Sequence, residues 1–426
     1  MLDLKFIKDN EGLVRKAFKK RGLEINFDNL FKNSEKRNVL ISQIEKLRSE
    51  RNAVSKEIAS LKKEGKNTES LIADMKDKGF EIESKENELS KVEQNISSFI
   101  AELPNLPDED IVAGGKENNE TLKVYGEKPN FDFKIKDHVE LAKENELIDY
   151  ERGVKLSGRG SWIYSNMGAR LEWALLNYFI DEHIKDGYQF MLIPHILNYQ
   201  CGFGAGQFPK FKEDVFMLDG LDEGKKNFLL PTAETGLVNI HSKEILDEDE
   251  LPRKYFSYTP CYRKEIGSYR SEERGMIRGK QFNKVEMFQF VKPEKSDQAF
   301  EDLVAKAERL VEGLGLHYRT SKLAAGDISA GMARTYDIEV WIPSMNIYKE
   351  VSSVSNSRDY QPRRTQTKFK NSKTGKNEYI HMLNGSGLAT SRLIPAILEQ
   401  NQQKDGSIKV PEKLVKYLGV EVLAKK

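Results

Sequence analysis

Between residues 40 and 103, apolar side chains recur in alternating steps of four and three, and few folds accept that pattern. Leu40, Ile44, Leu47, Arg51, Val54, Ile58 and Leu61 make one run; Leu71, Met75, Lys78, Ile82, Lys85, Leu89, Val92, Ile96, Phe99 and Leu103 make a second. This alternation is the seam of a coiled coil. Residues 62–68 separate the runs, polar throughout and carrying Gly65. Short polar connections join antiparallel neighbours, so the spacing predicts one hairpin over about residues 35–103. Each helix would be roughly 40–50 Å long. Arg51, Lys78 and Lys85 interrupt the seam, and their long stems let the charged heads reach water. A rod of this kind buries little surface. It fits a dimerisation zipper or spacer, or a probe that touches a large ligand away from a folded body.

The chain has 426 residues, enough for a substantial body behind the rod. Phe6, Leu13, Val14 and Phe18 fall near helical spacing and Gly22 supplies a stop, so residues 1–30 read as a small helical cap. Leu103-Pro104-Asn105-Leu106-Pro107 ends the second long helix, because proline cannot continue one. A Gly/Asn/Glu-rich connector then runs to about residue 128. The expected division is an N-terminal domain, 1–105, and a body, 106–426. Within the body the pattern predicts helices over 167–187, 297–313 and 390–400. Strands are expected at 189–194, 227–231, 254–258, 284–291, 337–342 and 348–353. Many strands with few helical crossovers predict an α+β fold, an antiparallel sheet with flanking helices. No GxxxxGK[ST] phosphate loop occurs, so a nucleotide would have to bind on another scaffold.

Charge and cysteine usage narrow the function. A formal net charge of +1 excludes nucleic-acid binding by bulk electrostatics and leaves only local patches. Cys201 and Cys261 form no CxxC, and the six histidines are scattered, which argues against structural zinc and for a reducing compartment. The opening Met1-Leu2-Asp3-Leu4-Lys5 is no signal peptide and no apolar run approaches membrane-spanning length. A cytoplasmic protein without membrane attachment is expected.

Two stretches carry chemistry. Met382-Leu383-Asn384-Gly385-Ser386-Gly387 reads as a small-residue turn leading into an apolar helix with Arg392 at its opening. Glycines let a ligand approach the backbone, and a guanidinium at a helix start suits phosphate, although a merely solvated arginine fits as well. Upstream, Tyr262-Arg263-Lys264-Glu265 closes a strand, a polar loop spans 266–278, and the chain returns through a second strand. There Phe282, Lys284, Glu286 and Phe288 share one face. An aromatic, a carboxylate and an Arg/Glu pair would thus lie together under a loop, as a platform for a flat base, a phosphate and an amine. A hairpin laced with ordinary ion pairs is the other reading.

The arginine-glutamate strand end, the loop and Phe-x-x-x-Glu resemble motif 2 of the class II aminoacyl-tRNA synthetases. Asn384-Gly385-Ser386-Gly387 through Arg392 resembles motif 3, and the strand ending at Pro194 resembles motif 1, the dimer-interface element. Thr232-Ala233-Glu234, Glu350-Val351-Ser352-Ser353, Gly206-Gln207-Phe208-Pro209-Lys210-Phe211 and the coiled-coil arm resemble the seryl-tRNA synthetases in particular. The resemblance runs from residue 1 to about residue 420. It implies a class II catalytic domain behind a tRNA-binding arm. It also implies a cytoplasmic homodimer that uses ATP and magnesium to activate L-serine and pass it to tRNA(Ser). Charging of tRNA(Sec) stays open beside that.

Residue by residue, the resemblance puts Arg263 on the ATP α-phosphate and the serine carboxylate, and Arg392 on the γ-phosphate. Glu265 would meet the adenine amino group and Phe282 would stack on the ring, with Lys264, Val351 and Ser352 as neighbours in the ATP site. Glu350 and Ser353 would hold magnesium, a hard-oxygen site. Thr232, Ala233, Glu234, Glu286 and Ser386 would surround serine. Thr232 and Glu234 also fit simple helix capping after Pro231. Lys62, Lys63 and Lys66 fit phosphate contacts of a gripped RNA arm. The basic stretch 358–376 fits either the acceptor end or a solvated hairpin. Lys264, Ser357 and Ser391 depart from the residues commonest in relatives, without removing a contact group. The competing readings are a paralogue that adenylates an amino acid for another carrier, and a catalytically dead tRNA-binding homologue.

Overall fold

The computed structural model describes residues 1–219, 226–265 and 275–425. The chain divides into two compact units, Leu2–Lys16 with Leu23–Leu103, and Met1, Ala17–Gly22 and Pro104–Lys426.

In the first unit, α1 (Leu4–Asp9) and the part of α2 (Glu11–Lys20) up to Lys16 precede two long helices, α3 (Asp28–Lys63) and α4 (Glu69–Glu102). They run antiparallel, joined by a turn in which Gly65 takes φ +70°. Every seam position named from the sequence is buried or half-buried. Phe27 packs edge-on against Phe99 at the base of the hairpin. The interrupting cations resolve as expected for long stems. Lys78 reaches Glu50 at 2.8 Å and Lys85 reaches Gln43 at 3.0 Å. Lys36–Glu88, Arg37–Glu93 and Arg48–Glu86 tie the same two helices. Such exposed pairs contribute little stability each, but together they favour one register over its neighbours.

The second unit is built on an eight-stranded sheet: β1 (Glu120–Tyr125), β2 (Gln189–Phe190), β3 (Arg253–Tyr262), β4 (Gln281–Val291), β5 (Tyr318–Lys322), β6 (Arg334–Ile342), β7 (Ile347–Arg358) and β8 (His381–Ala389). The spatial order is β1-β5-β6-β7-β8-β4-β3-β2, antiparallel except for the β2–β3 pair. Helices α5 (Asn166–Lys185), α6 (Ser296–Glu312) and α7 (Thr390–Gln400) cover one face. Leu175, Phe179, Phe300, Leu303, Ile394 and Ile397 meet Val285, Met287, Ile338, Val354 and Leu383 in a single core. Strand alternation explains how one strand serves two environments. On β4 the odd residues face the helices, while Phe288 and Phe290 join a second cluster on the opposite face with Ala233, Leu237 and Met382.

Three expectations need correction. Residues 384–387 are not a turn but the middle of the central strand β8. Their glycines answer to the core rather than to a ligand. A Cβ on Gly387 would lie 2.3 Å from His183 Nε2, and one on Gly385 would lie 3.2 Å from Leu303. The segment 189–194 pairs with β3 only at its start, through Gln189 and Phe190 and the Met191 N–H on Phe256 O, and leaves the ladder before Pro194. The connector ending near residue 128 contains the edge strand β1, which is exposed along its whole length and so showed no apolar run.

Candidate active site

The open face of the sheet, opposite α5, α6 and α7, carries a cleft of about 640 Å³. Strands β4, β6, β7 and β8 form its floor, with Arg263 and Glu265 just past the end of β3, and the segments around Gln207 and Thr232 form its wall. Thr232, Glu234, Arg263, Glu265, Glu286, Glu350, Ser353 and Ser386 line it. A smaller recess continues from it, lined by Arg263, Glu265, Phe282, Val351 and Arg392. The two arginines singled out in the sequence therefore share one cavity.

At the inner end, Glu286 is almost completely buried and forms an ion pair with Lys284. Lys284 Nζ also donates to Thr232 Oγ1 at 2.8 Å and to Ser386 Oγ at 3.4 Å. Thr232, Ser386 and Asn384 each place a donor 3.4 Å from a Glu286 oxygen. Glu234 accepts from Gln361 Nε2 at 2.8 Å. Burial, followed by the charge of Glu286, pushes the Glu234 carboxyl up to about 7. Thr232 Oγ1 also accepts from the Glu234 N–H at 3.3 Å, so the capping contact and the polar pocket coexist.

At the middle, the Arg263 Nε donates to Pro231 O at 3.2 Å, and the guanidinium sits 5.2 Å from the Phe282 ring centre. Arg278 donates to Glu265 Oε2 at 2.7 Å. Glu265 holds a left-handed φ of +52°, an uncommon conformation for a glutamate. Residues 266–274 of the expected loop lie outside the described residues.

At the outer end, Glu350 and Ser353 stand three apart on β7, a spacing that would normally put them on opposite faces. The β6–β7 register shifts here, pairing Ile338 with Ser352 but Glu339 with Glu350. The extra residue turns Glu350 into the cleft beside Ser353. Arg392, in the first turn of α7, donates Nη1 to Glu350 Oε2 at 3.3 Å and Nε to Ile277 O at 3.2 Å. Desolvation raises the Glu350 carboxyl, but Arg392, Arg263 and Lys284 outweigh it and hold the group below the usual range. Asp337, on neighbouring β6, lines the same cleft with Oδ1 unpartnered. Burial and the charge of Glu350 push its carboxyl well up. Two carboxylates and the Ser353 hydroxyl thus converge with an unsatisfied buried oxygen, which suits a hard divalent cation.

Three expected residues do not bring a side chain to the cleft. Ala233 is wholly buried against the second core cluster. Ser352 points into the sheet and donates to Ser386 O at 2.6 Å. The side chain of Lys264 is absent from the lining, although its N–H donates to Asp214 O. Strand alternation accounts for Ser352, beside the inward-facing Ser353; Lys264 lies past the end of β3, between Arg263 and Glu265. The stretch 358–376 also divides. Arg358 is tied to Asp108 and Asp297, and Arg364 is buried against the Phe203 and Phe208 carbonyls, which leaves the lysines on the surface. Conversely, Lys284, Asp337, Asn384 and Arg278 were not assigned a role. Lys284 and Asn384 did carry a signal, Lys284 on the shared face of β4 and Asn384 within the stretch that resembles motif 3; Asp337 carried none.

Residues 1–107 match the seryl-tRNA synthetase N-terminal domain, and residues 215–401 match the tRNA synthetase class II core domain (G, H, P, S and T). The chain is 59% identical over 425 residues to serine–tRNA ligase 2 of Clostridium acetobutylicum, covering 99% of this chain and 100% of that one. It superposes on the seryl-tRNA synthetase of Pyrococcus horikoshii complexed with ATP with a TM-score of 0.92 and 31% identity, covering both chains in full. The cytoplasmic serine–tRNA ligase of Naegleria fowleri in complex with AMP gives a TM-score of 0.87 and 26% identity, covering 100% and 99% of the two chains. Among the described residues no helix is long and apolar enough to cross a membrane. With both domain matches in chain order and identity above half along the whole length, the chain belongs to the seryl-tRNA synthetase family, with a class II catalytic core.

Proposed function

We propose that the protein activates L-serine with ATP and transfers it to tRNA(Ser). The observation that carries this reading is the cleft that holds a small polar pocket at one end, Arg263 in its middle, and Glu350 and Arg392 at the other end. A serine bound at the inner end would place its ammonium and hydroxyl among Thr232, Glu234, Glu286 and Ser386. Lys284 now occupies part of that pocket and would have to yield some of its contact with Glu286. Alanine would leave these buried polar groups unpaired, and a site of that kind rejects such an analogue by roughly 10⁴-fold. Arg263, between the two ends, would hold both the serine carboxylate and the α-phosphate, where a planar fork serves better than an ammonium.

The serine carboxylate oxygen then attacks the α-phosphorus in line. The bond to the bridging oxygen breaks, its electron pair stays with pyrophosphate, and no protein nucleophile or general base takes part. Catalysis is positioning and charge neutralisation. Asp337, Glu350 and Ser353 would hold magnesium, which when bound screens the phosphate charges. Glu265 and Phe282 would receive the adenine, Arg278 would steady Glu265, and Arg392 would take the γ-phosphate. In the second step the adenylate carbonyl passes to a terminal hydroxyl of the tRNA and AMP leaves.

Residues 1–105 form the tRNA-binding domain in this reading, with the α3–α4 hairpin gripping an RNA helix through its backbone, and residues 106–426 form the catalytic domain. The protein works as a cytoplasmic homodimer; Trp173, Ile184, Leu192 and Ile196 are large apolar side chains left exposed on and just after α5, where motif 1 was expected. Serine-dependent exchange of labelled pyrophosphate into ATP tests the first step. Exchange driven better by alanine, glycine or threonine would contradict the substrate assignment.

A further inference from the structure

A second cavity, about 610 Å³, opens on the far side of Arg392 and Glu350 from the serine pocket. Its lining is strongly cationic: Lys116, Lys128, Arg278, Arg319, Lys349 and Arg392 against Glu339 and Glu350. One of the two acids is already committed. Glu339 is 5% exposed and accepts from Arg319 Nε and Ser321 Oγ, each at 2.7 Å.

Arg319 is held as a fork. Its Nε is fixed by Glu339, its guanidinium lies 4.4 Å from the Tyr348 ring centre, and its two terminal nitrogens make no hydrogen bond among the described residues. Lys128 Nζ lies 3.4 Å from the Trp341 ring centre and forms no ion pair among the described residues. The aromatic faces are therefore covered by cations and do not offer a stacking platform for a base. They orient positive charge toward the cavity, and the unused edge of the Arg319 guanidinium matches a phosphate.

Position names the anion. From Glu286 outward the groups run Arg263, then Arg392 with Glu350, then Arg319 and Lys128. Arg263 lines the serine cleft but not this cavity. In-line displacement expels the leaving group away from the nucleophile. We infer that this cavity is the subsite that receives the leaving pyrophosphate, held by Arg319 and Lys128 beyond Arg392. The inference rests on the serine-activating reading above. It adds no chemical step: the bond to the bridging oxygen has already broken, and the subsite holds the diphosphate product before release and admits it for the reverse reaction.

Two measurements on the full-length protein test it. In the exchange reaction, Arg319→Met raises the KM for pyrophosphate roughly tenfold and Lys128→Met several-fold, each relative to the KM for serine. Arg319→Lys, which keeps the charge but loses the fork, falls between wild type and Arg319→Met. Titration of magnesium pyrophosphate into the protein without ATP or serine shows the same ranking by calorimetry. Unchanged pyrophosphate affinity in Lys128→Met and Arg319→Lys overturns the inference, as does an equal rise in both KM values. Wild-type protein that binds pyrophosphate in this ranking but shows no serine-dependent exchange would retain the subsite and overturn the serine reading instead.

Discussion

Arg392 gives one nitrogen, Nη1, to two oxygens of Glu350: the backbone carbonyl at 3.0 Å and the carboxylate at 3.3 Å. This pair ties the first turn of α7 to the bulge in β7, two elements brought together only by the sheet. It keeps Glu350 ionised beside the unpartnered Asp337 oxygen. Glu350→Gln keeps the shape and removes the charge. We predict that it lowers serine-dependent exchange by about 100-fold or more and raises the magnesium concentration needed for half-maximal rate, with little change in melting temperature. A magnesium titration of exchange, run beside thermal melts, checks both parts; an unchanged titration would remove the cation from this pair.

Beneath the cleft, Glu172 on α5 is 3% exposed and accepts from Thr390 Oγ1 at 2.6 Å and Asn283 Nδ2 at 2.7 Å. Burial pushes its carboxyl up to about 7, against the opposing pull of these hydrogen bonds. The folded form therefore keeps the proton where the unfolded chain has lost it. Between the unfolded value near 4.5 and about 7, stability falls as pH rises. The contribution is of order 3 kcal/mol at most. Glu172→Gln should abolish this slope and be stabilised relative to wild type at pH 8 more than at pH 5. Urea midpoints of both proteins at the two pH values decide it; parallel pH profiles would show that Glu172 does not titrate in this window.

Leu192 is 77% exposed and Trp173 54% exposed, and in the proposed homodimer both would be covered by the partner. Leu192→Asp and Trp173→Asp should each shift the protein from dimer toward monomer at micromolar concentration, read by light scattering. A wild-type monomer under those conditions would contradict the interface.

Deleting residues 35–100 should leave the exchange reaction largely intact and abolish transfer to tRNA. The hairpin is held by its own seam and its own ion pairs. Loss of both activities together would count against a modular arm. In the intact protein, tRNA affinity should fall steeply with salt, as phosphate contacts from Lys62, Lys63 and Lys66 require.

The arm was legible because a coiled-coil seam is a local signal: Leu40 and Ile96 reveal their roles through neighbours three and four residues away. The β3–β4 hairpin and α7 were legible for the same reason. Residues 384–387 were not, because two glycines in four residues normally mean a turn. Here they mean helices crossing close over a strand, with His183 against Gly387 and Leu303 near Gly385. Asp337 shows a second limit. An acid within a strand has no special spacing, and only the pairing of β6 with β7 brings it to the cleft. The bulge that turns Glu350 inward was equally hidden, and there the family resemblance named Glu350 and Ser353 while periodicity could not.

The most direct test is aminoacylation of purified tRNA with each standard amino acid in turn. The account predicts that serine alone is charged efficiently, onto tRNA(Ser), with alanine slower by at least three orders of magnitude, on the order expected of a site built to bind a hydroxyl, and with threonine, which keeps the hydroxyl, slowed by the smaller factor of roughly 100 that an extra methyl group costs. Efficient charging of another amino acid, or exchange with serine but no transfer to any tRNA, would contradict it.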